Sequence, residues 1–288
     1  MLYLRITLTH PLGFSFYDKD PYLDTCIPVI LRATMGDMIG IHQQSGTIQA
    51  YVAVPQKMTR FRGGVIVAHE IWGLTEQLKG FADRLADQGY YVLVPDLYST
   101  DKVNRRPSAE LEQQLFSSDE KVRYHAMPQV RSMIAPTQTP QFTLLALSKL
   151  ESCFEYVYNQ PLVHQKVSVV GFGLGGKYVF ELALTEPRLV CVVSFYGQAP
   201  KQAVELRHIR SPILAFYGGK EKALANEART LATHMQQAGV GFTSVMYNAA
   251  GHGFFNDRNT LAYDQKAADD AWRRTLSFLQ ESASNYRY

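Results

Sequence analysis

The stretch Val167-Ser168-Val169-Val170-Gly171-Phe172-Gly173-Leu174-Gly175-Gly176 decides how this chain folds. Its first residues form the largely apolar run typical of a β-strand that is covered on both faces. The glycines that follow fit the pattern G-x-nucleophile-x-G, in which small flanking residues allow a sharp strand-to-helix turn to project one side chain. Gly171 and Gly175 occupy the flanking positions, but the central position is Gly173. The pattern therefore predicts the turn without the side chain that it would present.

Outward from this turn, the chain alternates short apolar runs with segments of helical periodicity. Strands are predicted at 47–54, 65–68, 91–94, 167–170, 190–195, 213–217 and 243–247. Helices are predicted at 75–88, 141–158, 174–185, 223–237 and 261–279, with a polar, helix-prone stretch at 108–133. Because parallel neighbours need crossover connections, this alternation indicates an α/β fold with a mostly parallel central sheet and helices on both faces. The strand at 47–54 alternates as an outer antiparallel strand would.

Residues 1–38 differ from the chain that follows them. Breaks at Pro11 and Pro21 interrupt any regular element there. We interpret 1–38 as an N-terminal extension and 39–288 as a single α/β domain, since no Pro- or Gly-rich linker divides the latter.

Composition excludes several classes of function. The 29 basic and 26 acidic residues give a formal net charge of +3, which is too small and too dispersed to indicate binding to nucleic acid or an anionic membrane. No apolar run reaches the length of about 18 residues that a spanning helix needs, and no secretory leader pattern is present, so we expect a cytoplasmic protein. Cys26, Cys153 and Cys191 lack disulfide or metal-ligand spacing and are interpreted as core residues in a reducing compartment. No metal is expected. No cofactor is expected either, because 171–176 lacks the Lys and Ser/Thr of a phosphate-binding loop and no acid of a dinucleotide site follows.

Ionisable residues follow several of the predicted strands, at the edge where ligands bind in parallel sheets. His252, in a small-residue loop after the last strand, is suited to act as a general base. Glu221 follows the strand at 213–217, and the order nucleophile, acid, histidine is the one that α/β-hydrolases use. An acid in that position orients the imidazole and stabilises its cation. The plainer alternatives are a surface loop histidine for His252 and a solvated charge for Glu221.

The strand at 65–68 is followed by His69 and Glu70. Two ionisable groups at the mouth of a buried strand are unusual, because an unpaired buried charge is costly. We expect Glu70 in the site, with the backbone N–H groups of Ile71 and Leu174 as oxyanion-hole donors. A structural ion pair for Glu70 and a structural hydrogen bond for His69 are the alternatives.

Together these motifs resemble the dienelactone hydrolase family, whose members are carboxymethylenebutenolidase-like α/β-hydrolases. The matching blocks occur in the family's order and span roughly residue 36 to the end of the chain. They are His69-Glu70-Ile71-Trp72-Gly73, Pro95-Asp96-Leu97-Tyr98, 171–176, Tyr217-Gly218-Gly219-Lys220-Glu221, 251–257 and 267–276. The resemblance implies an α/β-hydrolase fold and the hydrolysis of a lactone or small ester.

The resemblance also implies site roles: a cysteine nucleophile, a histidine base, an aspartate, and a glutamate that interacts with the thiol. Carried onto this chain, His252 is the base and Glu70 the thiol-associated glutamate. Glu221 stands where the family has aspartate, and Gly173 stands where it has cysteine. Cys191, Ser194 and Ser168 lie within predicted strands, so none of them is expected to replace the nucleophile.

Three hypotheses remain open from the sequence. In the first, the protein is a hydrolase with weak or non-covalent activity, in which a water at Gly173 is activated by His252. In the second, it is an inactive pseudo-hydrolase that binds a small carboxylate or lactone, with Trp72, Arg258 and the pair Arg105-Arg106 as candidate ligand contacts. In the third, Gly173 is an engineered or mis-sequenced position in a cysteine hydrolase. All three predict a small-molecule partner and a monomer or small homo-oligomer.

Overall fold

A computed structural model of the chain describes residues 36–43, 45–55, 61–99, 107–200 and 205–286. The greater part of the predicted extension at 1–38, with Cys26, and the pair Arg105-Arg106 lie outside these ranges. Within them, no helix is long and apolar enough to cross a membrane.

An eight-stranded sheet with helices on its two faces forms the centre of the protein, as the alternation predicted. Its strands are β1 (Asp37–Gln43), β2 (Gly46–Ala53), β3 (Gly63–Ala68), β4 (Tyr90–Pro95), β5 (Val167–Phe172), β6 (Leu189–Phe195), β7 (Ile213–Gly218) and β8 (Phe242–Tyr247). They are ordered β1-β2-β4-β3-β5-β6-β7-β8. The β1–β2 and β2–β4 pairs are antiparallel, and the other pairs are parallel.

Strand β1 was not predicted, and it includes two residues that the sequence assigned to the extension. Its sequence, DMIGIHQ, has a single fully buried position, Ile41, because it is an edge strand with one neighbour. Such a strand carries little of the alternation by which strands are recognised. The position of the boundary between extension and domain stays a prediction.

Helices connect or follow the strands, and most lie close to their predicted positions. They are α1 (Glu76–Asp87), α2 (Ala109–Leu115), α3 (Glu120–Ile134), α4 (Pro140–Tyr158), α5 (Leu174–Thr185), α6 (Lys222–Gln237) and α7 (Gln265–Asn285). The helix-prone stretch at 108–133 is two helices, because Asp119 interrupts it and caps α3 by accepting a hydrogen bond from the Lys121 N–H. Helix α7 starts later than predicted, because Asp264 caps it through the Ala267 N–H.

Aromatic side chains pack beneath the edge of the sheet at which β3, β5, β6, β7 and β8 end. The Phe172 and Phe195 rings stack at a centroid distance of 4.5 Å, and Phe81 and Phe255 both contact Phe172 edge-on or tilted. These rings are buried or nearly so. Such packing gives the loops above them a rigid base.

Candidate active site

The predicted turn after β5 forms as the glycine pattern required. Strand β5 ends at Phe172, α5 begins at Leu174, and Gly173 between them has φ +51° and ψ −110°. A Cβ on Gly175 would overlap the Ala68 carbonyl oxygen, so the helix can approach β3 only with glycine there. The Gly173 N–H donates to the Phe195 carbonyl at 2.9 Å, which fixes the turn to β6.

Three side chains surround the space in front of Gly173. A Cβ built on this residue would lie 3.8 Å from Glu70 Cγ, 3.8 Å from His252 Nε2 and 3.9 Å from Tyr196 Cε2. These are ordinary van der Waals distances, so the turn has room for a side chain. Glu70, which follows β3, and His252, which follows β8, thus come together at Gly173, the residue after β5.

His252 and Glu221 form a hydrogen-bonded pair, with 2.8 Å between Nδ1 and Oε2. The carboxylate can only accept, so Nδ1 carries a proton and Nε2, which faces Gly173, is the basic nitrogen of the neutral ring. Partial burial lowers the pKa of His252, but its hydrogen bond to Glu221 and the charges of Glu221 and Glu70 outweigh this and raise the pKa above its ordinary value. The two loops are joined by the Lys220 N–H, which donates to the Ala250 carbonyl at 3.0 Å.

Glu70 is buried and accepts a hydrogen bond from the Tyr196 hydroxyl at 3.1 Å. Burial raises the pKa of the Glu70 carboxyl, and the charge of His252 and the hydrogen bond from Tyr196 oppose that rise without cancelling it. Burial, followed by the charge of Glu70, raises the pKa of Tyr196 well above its ordinary value, so its hydroxyl remains a donor. Glu70 therefore borders the site as a largely desolvated carboxyl group.

Tyr196 is a site residue that the sequence analysis missed. It follows β6 directly, its ring centroid lies 4.9 Å from that of His252, and its φ of +42° is uncommon for a residue with a side chain. The available signal was its position, since β6 also ends at the ligand-binding edge of the sheet.

His69 makes structural hydrogen bonds, which is the alternative role that the sequence analysis gave for it. Its Nδ1 donates to the Glu70 carbonyl at 2.6 Å, and its Nε2 accepts from the Leu97 N–H at 2.9 Å. Because a carbonyl cannot donate and an N–H cannot accept, the ring is the neutral Nδ1–H tautomer. His69 thereby fixes the Glu70 peptide to the loop after β4.

Ile71 and Leu174, the predicted oxyanion-hole donors, both border the cavity at Gly173. Leu174 is the first residue of α5, where backbone N–H groups have no acceptor within the helix. The Tyr98 hydroxyl donates to the Ile71 carbonyl at 3.3 Å and so restrains that peptide. The positions suit two donors, and the role itself stays a prediction.

Trp72 and Arg258, the predicted ligand contacts, are absent from the described residues that line the cavity. The Trp72 ring packs edge-on against Phe116 at 5.2 Å, and Arg258 Nε lies 3.2 Å from Glu112 Oε1. Glu112 belongs to α2, and Phe116 is the residue that follows α2. The two side chains thus tie α2 to the loops that carry Glu70 and His252.

A cavity of about 1120 Å³ opens in front of Gly173. Besides the site residues, its described lining includes apolar side chains from the end of α3 and from α4, and charged side chains from α5, α6 and the short 3₁₀ turn before β7. This volume is ample for a small ester or lactone.

The alternative nucleophiles that the sequence offered are unsuited to the role. Cys191, Ser168 and Ser194 are all buried in the sheet, and Cys191 Sγ contacts Ser168 Oγ at 3.4 Å. Burial raises the pKa of the Cys191 thiol to about 11. None of the three belongs to the described lining of the cavity.

Comparison with known proteins agrees with this fold. The model of the dienelactone hydrolase family matches residues 48–283. The chain belongs to the dienelactone hydrolase family. A Saccharolobus solfataricus protein named "Putative carboxymethylenebutenolidase" is 31% identical over 247 residues, which cover 81% of this chain and 93% of that protein.

Two solved structures share the dienelactone hydrolase fold with this chain. The dienelactone hydrolase from Anabaena variabilis has a TM-score of 0.61 and 16% identity, over 86% of this chain and 97% of that one. A dienelactone hydrolase-like promiscuous phosphotriesterase from metagenomic libraries has a TM-score of 0.64 and 22% identity, over 86% and 98%. At these identities the likeness concerns the fold alone.

Proposed function

We propose that this protein hydrolyses a small ester or lactone by direct attack of water, without an acyl-enzyme intermediate. The observation that carries the proposal is the placement of His252 Nε2, 3.8 Å from where a Cβ of Gly173 would lie, while Nδ1 is held by Glu221. A base oriented in this way can act on whatever nucleophile occupies the space in front of Gly173.

In the proposed reaction, His252 Nε2 takes a proton from water as the water oxygen bonds to the substrate carbonyl carbon. The resulting oxyanion is stabilised by the N–H groups of Ile71 and Leu174. The intermediate then expels the alkoxide, and the imidazolium returns its proton to that oxygen. An ester gives an acid and an alcohol, and a lactone gives one hydroxy acid.

Buried Glu70 supports this scheme electrostatically. A carboxylate beside the imidazolium favours the charge that develops there during attack. The Tyr196 hydroxyl holds that carboxyl group in place. Glu70 and Glu221 thus stabilise the protonated base from two sides.

The experiment compares the unaltered protein with His252→Gln and Glu221→Gln on a panel of activated esters and small lactones. His125→Gln, at an exposed position on α3, and Glu120→Gln are matched controls. For the unaltered protein we expect linear product formation without a burst and no acyl adduct in the intact mass. His252→Gln should lower kcat/KM at least about 100-fold, whereas His125→Gln should leave it unchanged.

A burst or a trapped acyl adduct in the unaltered protein would contradict direct water attack. Full activity in His252→Gln would contradict the role of the base. Ligand binding without any turnover would instead select the pseudo-hydrolase hypothesis.

A further inference from the structure

The cavity in front of Gly173 has one apolar wall. Ile134, Pro140, Leu144 and Leu147 contribute to it from the end of α3 and from α4. Leu144 is 68% exposed. A ligand with an apolar arm would cover this side chain and remove its surface from water.

Another part of the cavity lining carries negative charge. Glu181 of α5, Glu205 of the 3₁₀ turn and Glu227 of α6 line it, apart from the Glu221 that holds His252. Burial raises the pKa of Glu181, the charge of Lys177 opposes that rise, and the charge of Glu205 adds to it. This part of the described lining is acidic although the whole chain has a formal net charge of +3.

Among the described lining residues, Lys177 is the one lysine or arginine. Its Nζ donates to Thr143 Oγ1 at 3.2 Å, and its charge lowers the pKa of Glu181. Arg258, the predicted anion contact, is paired with Glu112 instead. Within the described lining, a carboxylate in the cavity would therefore face Glu181, Glu205 and Glu227, and a lysine whose charge acts on Glu181.

We propose that the cavity accepts esters or lactones whose non-reacting arm is apolar and uncharged or cationic, and that it discriminates against substrates bearing a carboxylate. This inference rests on the proposed function, because it assumes that substrate reaches His252 through this cavity. Leu144 and Leu147 would contact the arm, and Glu181, Glu205 and Glu227 would set the charge preference through their common potential.

The test uses three p-nitrophenyl esters with the same scissile bond and six-carbon acyl chains: the hexanoate, the adipate monoester and the 6-trimethylammoniohexanoate. At low ionic strength we expect kcat/KM for the neutral ester to exceed that for the anionic ester at least about tenfold, with the cationic ester equal to the neutral one or better. Added salt should narrow the difference. The combined variant Glu181→Gln, Glu205→Gln and Glu227→Gln should bring the neutral and anionic esters within about twofold of each other.

A second combined variant, Glu110→Gln, Glu120→Gln and Glu281→Gln, makes the same change in net charge at exposed positions outside the cavity lining and should keep the original preference. An anionic ester that is turned over as well as the neutral one, or equal effects of the two combined variants, would overturn the inference.

Failure of the proposed function is separable from failure of the inference. The series is repeated in Gly173→Cys, whose turnover would not depend on direct water attack. If neither protein hydrolyses any of the three esters, calorimetry on the corresponding amides gives their dissociation constants. These constants rank the neutral, anionic and cationic arms by binding. A preference for the neutral over the anionic amide would support the inference while water attack fails, and equal or tighter binding of the anionic amide would overturn it.

Discussion

Replacing Gly173 by cysteine should convert the site to covalent catalysis. The new Cβ would lie 3.8 Å from His252 Nε2, so a thiol, one bond further, comes within reach of the base. The thiol would also sit at the start of α5 beside His252, and both features lower the pKa of a cysteine. The substitution therefore places an activated nucleophile beside the proposed base.

The expected gain in rate is large. Loss of a nucleophile from an intact triad leaves residual catalysis from the remaining groups, and the difference in a well-studied protease is about 10⁶-fold in kcat. An imperfectly aligned thiol can lose about 100-fold or more. We expect kcat for Gly173→Cys to exceed that of the unaltered protein by about 10⁴-fold, equivalent to about 5 kcal/mol in activation free energy.

The same substitution should lower stability. Its neighbours are at ordinary contact distances, so the cost is conformational and comes from placing a side chain on a residue with φ +51° and ψ −110°. Such backbone strain costs about 1–3 kcal/mol in the free energy of unfolding. For a chain of this length, that corresponds to a fall of about 2–12 °C in Tm.

Gly173→Ala is the matched control, since it introduces the same strain without a thiol. Thermal unfolding, stopped-flow assays of p-nitrophenyl esters and intact mass after rapid quenching separate the effects. Both variants should lose similar stability, while only the cysteine variant gains activity, a burst and an acyl adduct. If Gly173→Cys folds and is no more active than Gly173→Ala, the base, the acid or the cavity is not arranged for acyl transfer, and the reasoning fails.

Three further predictions concern the same site. Small thiols such as methanethiol should accelerate ester cleavage by the unaltered protein in a saturable manner and yield the thioester. Gly173→Ala should abolish this acceleration, because its methyl group fills the space in front of position 173 that the thiol would occupy. Acceleration that is unchanged in Gly173→Ala would show that the thiol binds elsewhere. Because His252 must be neutral to act as the base and its pKa is raised, kcat/KM should increase with pH to a midpoint above the ordinary histidine value, and Glu221→Gln should move that midpoint to lower pH in a pH–rate profile. Tyr196→Phe removes the hydrogen bond to buried Glu70 and should reduce the free energy of unfolding by about 1–3 kcal/mol in urea titrations at neutral pH, whereas Tyr124→Phe, at an exposed site, should have no effect.

The fold and part of the site were predictable because their signals are local. The glycines around Gly173 specify a turn through close backbone approach, and the runs of buried residues specify parallel strands. Glu70, Glu221 and His252 could be selected because each follows a strand, and the topology of a parallel sheet brings such positions to one edge.

The rest of the site depends on packing between distant segments. Tyr196 also follows a strand, but whether its hydroxyl finds a buried carboxyl group depends on how β3 and β6 are placed relative to β5. Trp72 and Arg258 were predicted to contact ligand, and nothing in their local sequence indicated that α2 would supply Phe116 and Glu112 as partners. Their predicted role has no contact to support it.

Glycine at position 173 also explains why the elbow persists without a nucleophile. In a hydrolase elbow, the side chain at this position is held against an unfavourable backbone conformation, and the surrounding packing offsets that strain. Glycine adopts φ +51° without a steric penalty, so its presence relieves the strain while Gly171, Gly175 and the bond to Phe195 still define the turn. The fold is therefore more stable with glycine than with cysteine, and the intact elbow is not by itself a sign of covalent chemistry. The informative features are the ones that stability does not require, above all the pairing of His252 with Glu221 at a partly exposed edge of the cavity. A partly exposed hydrogen-bonded pair of this kind contributes little to folding, so its orientation toward Gly173 argues for a base with a reactant to act on.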